Sequence, residues 1–165
     1  VAMYDGACNN VIGPQNVIAF TVCDGVLVDG ANAAGSTIGN TITSNSIFSN
    51  DRTGIHIFRG GNAEIPPPVI SSVTLNEVTG TAGPGETVEI FEDEDSEGRN
   101  MLGTAAADQS GRFTLALTAP PALPYITATA TDALGNVSPL SAPVSVSVDR
   151  TAPAVTIQRP ALARR

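Results

Sequence analysis

Apolar residues in the first 63 positions come in runs of only three to six β-formers, cut by Asn, Gly, Asp and Ser. No run sustains a 3.6-residue period and β-branched side chains dominate, so the pattern predicts short strands and no helices. The runs also recur. Asn16-Val17-Ile18 lies 29 residues before Asn45-Ser46-Ile47, and the same offset sets Gly25-Val26-Leu27-Val28 on Gly54-Ile55-His56-Ile57. With one residue of slack, Asn10-Val11-Ile12 meets Asn40-Thr41-Ile42 and Cys8 meets Ile38. Repeats of this period signal stacked architectures, in which each turn of chain lies on the last. Alternation then turns Ile18, Val26 and Val28 inward, with Ile47, Ile55 and Ile57 one turn later. Asn16 over Asn45 is expected to form a polar ladder at a corner. Gly25 and Gly54 are expected at corners of positive φ.

The pattern changes at Pro66-Pro67-Pro68, a stiff extended spacer that cannot continue a sheet ladder. Eleven of the 12 prolines lie from this point on, whereas 8 of the 11 asparagines precede Ala63. Seven alternating runs follow: Val69–Leu75, Val78–Ala82, Thr87–Phe91, Met101–Ala107, Arg112–Leu117, Tyr125–Thr131 and Val144–Val148. Turn signals such as Gly83-Pro84-Gly85, Gln109-Ser110-Gly111 and Asp132-Ala133-Leu134-Gly135-Asn136 separate most of them. Seven short strands over such a span predict an antiparallel sandwich. Its core would hold Val88, Ile90, Phe113, Leu115, Leu117, Ile126 and Val146. With no Cys or Trp in this segment, an antibody-type disulfide and Trp core are excluded.

Asn10-Val11-Ile12, Asn16-Val17-Ile18-Ala19 and Thr53-Gly54-Ile55-His56-Ile57 resemble the right-handed parallel β-helix repeats of bacterial secreted and surface proteins, relatives of the pectate-lyase-like fold. The resemblance spans about two coils. Because the pattern is already under way at Val1, it implies further coils upstream. Val78-Thr79-Gly80-Thr81-Ala82, Gly83 to Val88, Asp108 to Phe113 and Ala128 to Asn136 resemble bacterial Ig-like modules found in tandem on adhesins. Asp149 to Ile157 resembles the junction to a further module. The expected fold is therefore all-β: a short right-handed parallel β-helix over residues 1–63, a seven-stranded Ig-like antiparallel β-sandwich over 64–149, and a tail, the start of a further module, over 150–165.

Charge narrows the partners. All 8 basic residues are Arg, and 16 acids leave a net charge of -8. Residues 1–63 carry 4 acids and 2 Arg (-2), residues 64–148 carry 11 and 2 (-9), and residues 149–165 carry 1 and 4 (+3). Nucleic acid and anionic membrane surfaces need clustered positive charge, so neither fits as the main partner. No apolar run approaches the roughly 20 residues of a membrane span. The segment Glu92-Asp93-Glu94-Asp95-Ser96-Glu97-Gly98 offers Asp93, Asp95 and Glu97 as candidate calcium ligands, alternating before Gly98 like the first half of a calcium loop. Thr104 stands where the loop's closing Glu would be, and a solvated hairpin tip is the plain alternative. Asp132 and Asn136, with Asp149, suit either an ordinary turn or a second ion between modules.

Cys8 aligns with an inward residue and Cys23 with Arg52 at a turn, which favours two free cysteines, Cys8 acting as a small core hydrophobe. A one-residue error in register would let the pair meet. His56, the only histidine, should face outward beside Arg59 and Asp51; with no second His and no Lys it makes no catalytic constellation. The Asp24/Asp29 pair near a corner adds none. No Gly-x-Ser-x-Gly, phosphate loop or zinc spacing occurs. These features predict no enzyme and no certain cofactor, but a structural stalk or adhesive module of a secreted or cell-surface bacterial protein. Expected partners are polysaccharide or another surface component, and a second copy through the exposed end of the stack. The alternative is the end of a polysaccharide lyase or hydrolase whose active site lies in upstream coils.

Overall fold

The computed structural model describes residues 1–31 and 37–146, so the tail expected over 150–165 lies outside the described residues. Apart from a tight 3-10 turn at Gly61–Glu64, their regular elements are all strands. Seven short strands come first: β1 (Ala2–Met3), β2 (Val11–Ile12), β3 (Val17–Ala19), β4 (Val26–Asp29), β5 (Thr41–Ile42), β6 (Ser46–Phe48) and β7 (Ile55–Phe58). With one another they pair in parallel, as β1–β4–β7, β2–β5 and β3–β6. The register follows the repeat. Ile18 lies on Ile47, Val26 on Ile55 and Val28 on Ile57, while Val11 lies on Thr41 with the extra residue of spacing. Between the ladders lies one apolar core of Met3, Ile18, Val26, Val28, Ile42, Ile47 and Ile55, with Ile12 and Ile57 half-buried at its margin.

Strands of two to four residues satisfy few backbone groups, so the corners between them need side-chain partners. Three corners repeat in successive turns, and each is a residue of positive φ: Asn9 and Gly39, Gln15 and Ser44, Phe20 and Ser49. The residue after each corner turns toward the stack and stitches it. Asn40 Oδ1 accepts from the Asn10 N–H and side-chain amide, and Asn45 Oδ1 accepts likewise from Asn16. Asn50 Oδ1 accepts from the Thr21 N–H and hydroxyl. The amides of Asn40, Asn45 and Asn50 donate back to the carbonyls of Ala7, Ile12 and Ile18. An amide with one acceptor and two donors serves three backbone or side-chain groups in this way.

Gly25 and Gly54 do not take the expected positive φ. Close packing requires them instead: a Cβ on Gly25 would stand 2.7 Å from the Gly54 oxygen, and one on Gly54 would stand 2.9 Å from Leu140 Cδ1.

The remaining strands are β8 (Val69–Val73), β9 (Glu77–Thr81), β10 (Thr87–Asp93), β11 (Asn100–Ala106), β12 (Arg112–Ala116), β13 (Tyr125–Thr131) and β14 (Val144–Ser145). They form two antiparallel sheets, β11–β10–β13–β14 and β12–β9–β8. Val88, Ile90, Phe113 and Ile126 fill the space between the sheets with Ile70, Val78 and Ala128, while Leu115, Leu117 and Val146 sit half-buried at its edge. Alternation along β10 and β13 sends Glu89, Phe91, Asp93, Thr127 and Thr129 to the opposite face, where each is also buried. This sheet is therefore covered on both sides.

Asn45→Ala would remove both bonds at its Oδ1 and leave the Ile12 carbonyl without its amide donor. A loss of about 1–3 kcal/mol is expected in equilibrium denaturation, with the m-value unchanged.

Candidate functional site

The covered second face of β10 and β13 meets the last turn of the parallel stack, residues 38–62. Parallel stacking leaves the lower edge of that turn with unmet backbone donors and acceptors, which must be paired when buried. The hairpin between β10 and β11 supplies partners. Gly98 exchanges two backbone hydrogen bonds of 2.9 Å with Ile47, and the Arg99 carbonyl accepts from Ser46 Oγ at 2.7 Å. Glu97 Oε2 accepts the Asn50 N–H at 3.1 Å, just as Asn50 Oδ1 accepts the Thr21 N–H one turn above. Glu89 accepts the Ser44 N–H at 3.0 Å and the Thr43 hydroxyl. Asn62 Oδ1 accepts the Asn40 N–H at 3.0 Å, and Asn136 Oδ1 accepts the Gly39 N–H at 2.7 Å. Val137 completes the apolar core of the stack, with Leu140 packed against it. In position and chemistry these groups stand where another turn of the repeat would stand.

The hairpin tip places the candidate calcium ligands in different roles. Asp93 is buried; its Oδ1 accepts the N–H groups of Glu94 and Asp95, and its Oδ2 accepts the Arg99 N–H. Asp95 is exposed and holds the Ser96 and Glu97 N–H groups. Glu97 points into the seam. Among the described residues no three His, Cys, Asp or Glu side chains are grouped to hold a metal ion. Burial first, and then the Asp95 charge, push the Asp93 carboxyl up against the pull of its backbone bonds. Burial likewise raises the Glu97 carboxyl, against the pull of the Asn50 bonds.

Asp132 closes its turn by accepting the N–H groups of Leu134 and Asn136 and the Asn136 amide. Burial raises its carboxyl, but these bonds outweigh it and leave it below the usual range. The left-handed Gly135 lets this turn present Asn136 to the stack. Asp149, the third member of the expected second ion site, lies outside the described residues.

On the outer face of β4 and β7, His56 is partnered by Asp24 and not by Asp51: Nδ1 lies 3.0 Å from Asp24 Oδ2. Oδ1 of Asp24 takes the Thr53 hydroxyl at 2.9 Å. Burial pushes the Asp24 carboxyl up, but the bonds from His56 and Thr53 prevail and hold it below the usual range. The Arg59 guanidinium pairs with Asp29 through two hydrogen bonds and lies over the Phe58 ring, whose other neighbour is His56. Arg59 thereby holds the Asp29 carboxyl down. Cys8 and Cys23 are free and both exposed. Cys8 does not face the core as expected, because Ala7 takes the inward position and the turn at the left-handed Asn9 carries Cys8 outside.

The two antiparallel sheets, their core and their turns bear on the comparison with known families. Residues 67–148 match the bacterial Ig domain. No curated protein matches the chain. The sandwich is thus an Ig domain, and its β10–β13 face, buried against the parallel stack, has a second use here.

Glu89, Asn62 and Asn136 went unrecognised in the sequence as seam residues. The available signal was Phe91, a large apolar side chain on the same face of β10 as Glu89, which marks that face as covered.

Since the folded-state pKa of Asp24 is depressed, its contribution to stability is present above its ordinary value of 3.8 and is lost as pH falls through the folded value. Asp24→Asn should therefore be less stable than the parent at neutral pH. The difference should shrink toward zero in thermal melts taken well below pH 3.8.

Proposed function

We propose that the chain is a non-catalytic structural segment of a secreted or cell-surface bacterial protein, in which the final coils of a right-handed parallel β-helix (residues 1–63) end on an Ig-like module (residues 64–149). Its work is to extend and space, and to adhere to surface polysaccharide. The observation that carries this reading is the replacement of a further turn by the Ig domain, with Gly98 under Ile47 and Glu97 under Asn50. Such a joint has no chemistry to perform; it transmits the rigidity of one repeat to the next module. Bacterial Ig domains are often extracellular or surface-associated, which supports the location. In the described residues no helix is long and apolar enough to cross a membrane.

Adhesion has a candidate surface. Phe58 is exposed on the outer face of β7, with the Asp29-paired Arg59 guanidinium over one face of its ring and His56 tilted beside it. A flat ring flanked by charged hydrogen-bonding groups suits the alternating apolar and hydroxyl faces of a sugar. Affinity electrophoresis through gels containing soluble polysaccharides tests both halves of the reading. Retardation by at least one polysaccharide, weakened several-fold in Phe58→Ala, and no release of reducing ends or unsaturated products are the expected results. Release of reducing ends or unsaturated products would instead contradict the non-catalytic reading.

A further inference from the structure

The register of β4 on β7 sets Leu27 above His56 and Asp29 above Phe58, and alternation turns all four outward. Two carboxylates frame the Phe58 ring, and both are already engaged. Asp29 Oδ1 accepts from Arg59 Nε and from the Ala31 N–H, each at 2.9 Å, and its Oδ2 accepts from Arg59 Nη2. Asp24 Oδ2 lies 3.0 Å from His56 Nδ1, and its Oδ1 takes the Thr53 hydroxyl at 2.9 Å. The Arg59 bonds hold the Asp29 carboxyl below the usual range; burial pushes Asp24 up, but the bonds from His56 and Thr53 prevail.

These bonds decide which polar atoms remain for a ligand. An ionised Asp24 can only accept, so Nδ1 carries the proton of the neutral imidazole and Nε2 offers a lone pair. Arg59 keeps one nitrogen, Nη1, as a donor. Neither Nε2 nor Nη1 has a hydrogen-bond partner among the described residues. The guanidinium carbon is 4.8 Å and the imidazole centre 5.4 Å from the centre of the Phe58 ring, which is 44% exposed. One donor and one acceptor thus stand beside one apolar ring.

A sugar hydroxyl both donates and accepts, so two hydroxyls of one sugar can meet Nη1 and Nε2 while its C–H face covers the ring. A carboxylate or sulfate only accepts. It would set oxygen lone pairs against Nε2, and its charge would meet two carboxylates and a single guanidinium already bound to one of them. We propose that this surface selects uncharged polysaccharide and rejects uronic or sulfated chains. The inference rests on the adhesive reading of the same surface and adds the class of ligand to it.

The experiment measures binding of the full chain to immobilised galactomannan, mixed-linkage β-glucan and starch. Each is used as such and after oxidation of its C6 hydroxymethyl groups to carboxylates, with polygalacturonate beside them. It is run at about pH 8, where imidazole is neutral, in about 0.3 M salt to screen the chain's overall charge. At least one neutral polymer should bind, its oxidised form several-fold more weakly, and polygalacturonate no better than the oxidised form. Phe58→Ala should abolish the neutral binding. Asp29→Asn releases the Arg59 charge and should narrow the gap between neutral and oxidised polymer. Oxidised polymer or polygalacturonate bound as well as the neutral chain, and lost in Phe58→Ala, overturns the selectivity while adhesion stands. So does an unchanged gap in a folded Asp29→Asn; if that variant does not fold, the parent's neutral-to-oxidised ratio decides alone. Binding of no polymer, or neutral binding that survives Phe58→Ala, removes the adhesive surface and this inference with it.

Discussion

A stack of parallel strands cannot end on itself. Each turn uses its lower edge to hold the turn beneath, so the last turn has a row of donors and acceptors, and the bottom of an apolar core, with nothing under them. In this molecule the face of an Ig domain closes that end. Gly98 closes the edge at Ile47 through an antiparallel bridge, where the turns above pair in parallel, and Glu97 stands under Asn50 as Asn50 stands under Thr21. Val137 and Leu140 then fill the bottom of the core. The rest of the architecture follows from the demand that these groups be met.

That demand explains the unusual burial of β10 and β13. An Ig-like sheet ordinarily packs one face inward and offers the other to water. Here the second face carries Glu89, Phe91, Thr127 and Thr129, all buried, a mixture that suits neither a sandwich core nor a solvent surface. It suits a seam, where apolar groups close a core while carboxylates and hydroxyls meet backbone N–H groups. The triple proline separates two patterns of sequence, but the contacts across it are those of a shared core. Association through exposed apolar edges is a hazard of open stacks, and at this end it is removed by a covalently attached cap.

Much of this organisation can be read along the chain. The 29-residue offset put Ile18 on Ile47 and Val26 on Ile55, and the alternation found all seven strands of the second half. These succeed because side-chain period and repeat length are properties of the sequence itself. The corners fail for the opposite reason. Gln15, Phe20, Ser44 and Ser49 take positive φ although none is Gly, since the asparagine or threonine that follows each one repays the strain through its ladder. Gly25 and Gly54 look like corners and are instead sites of close approach. The acidic hairpin has structural roles that its local pattern does not display. Asp93 and Asp95 alternate like metal ligands, yet in the folded chain their oxygens hold backbone N–H groups of the tip. Glu97 belongs to a contact 47 residues away in sequence, which no local pattern encodes.

If the Ig domain is the lower boundary of the stack, the two halves must open together. Native-state hydrogen exchange in rising denaturant tests this most directly, by comparing the amides of Ile47 and Asn50 at the seam with those of Val88 and Ile126 inside the sandwich. The account predicts one shared opening free energy, equal to that of global unfolding. Early exchange of Ile47 and Asn50, while Val88 and Ile126 stay protected, would contradict it.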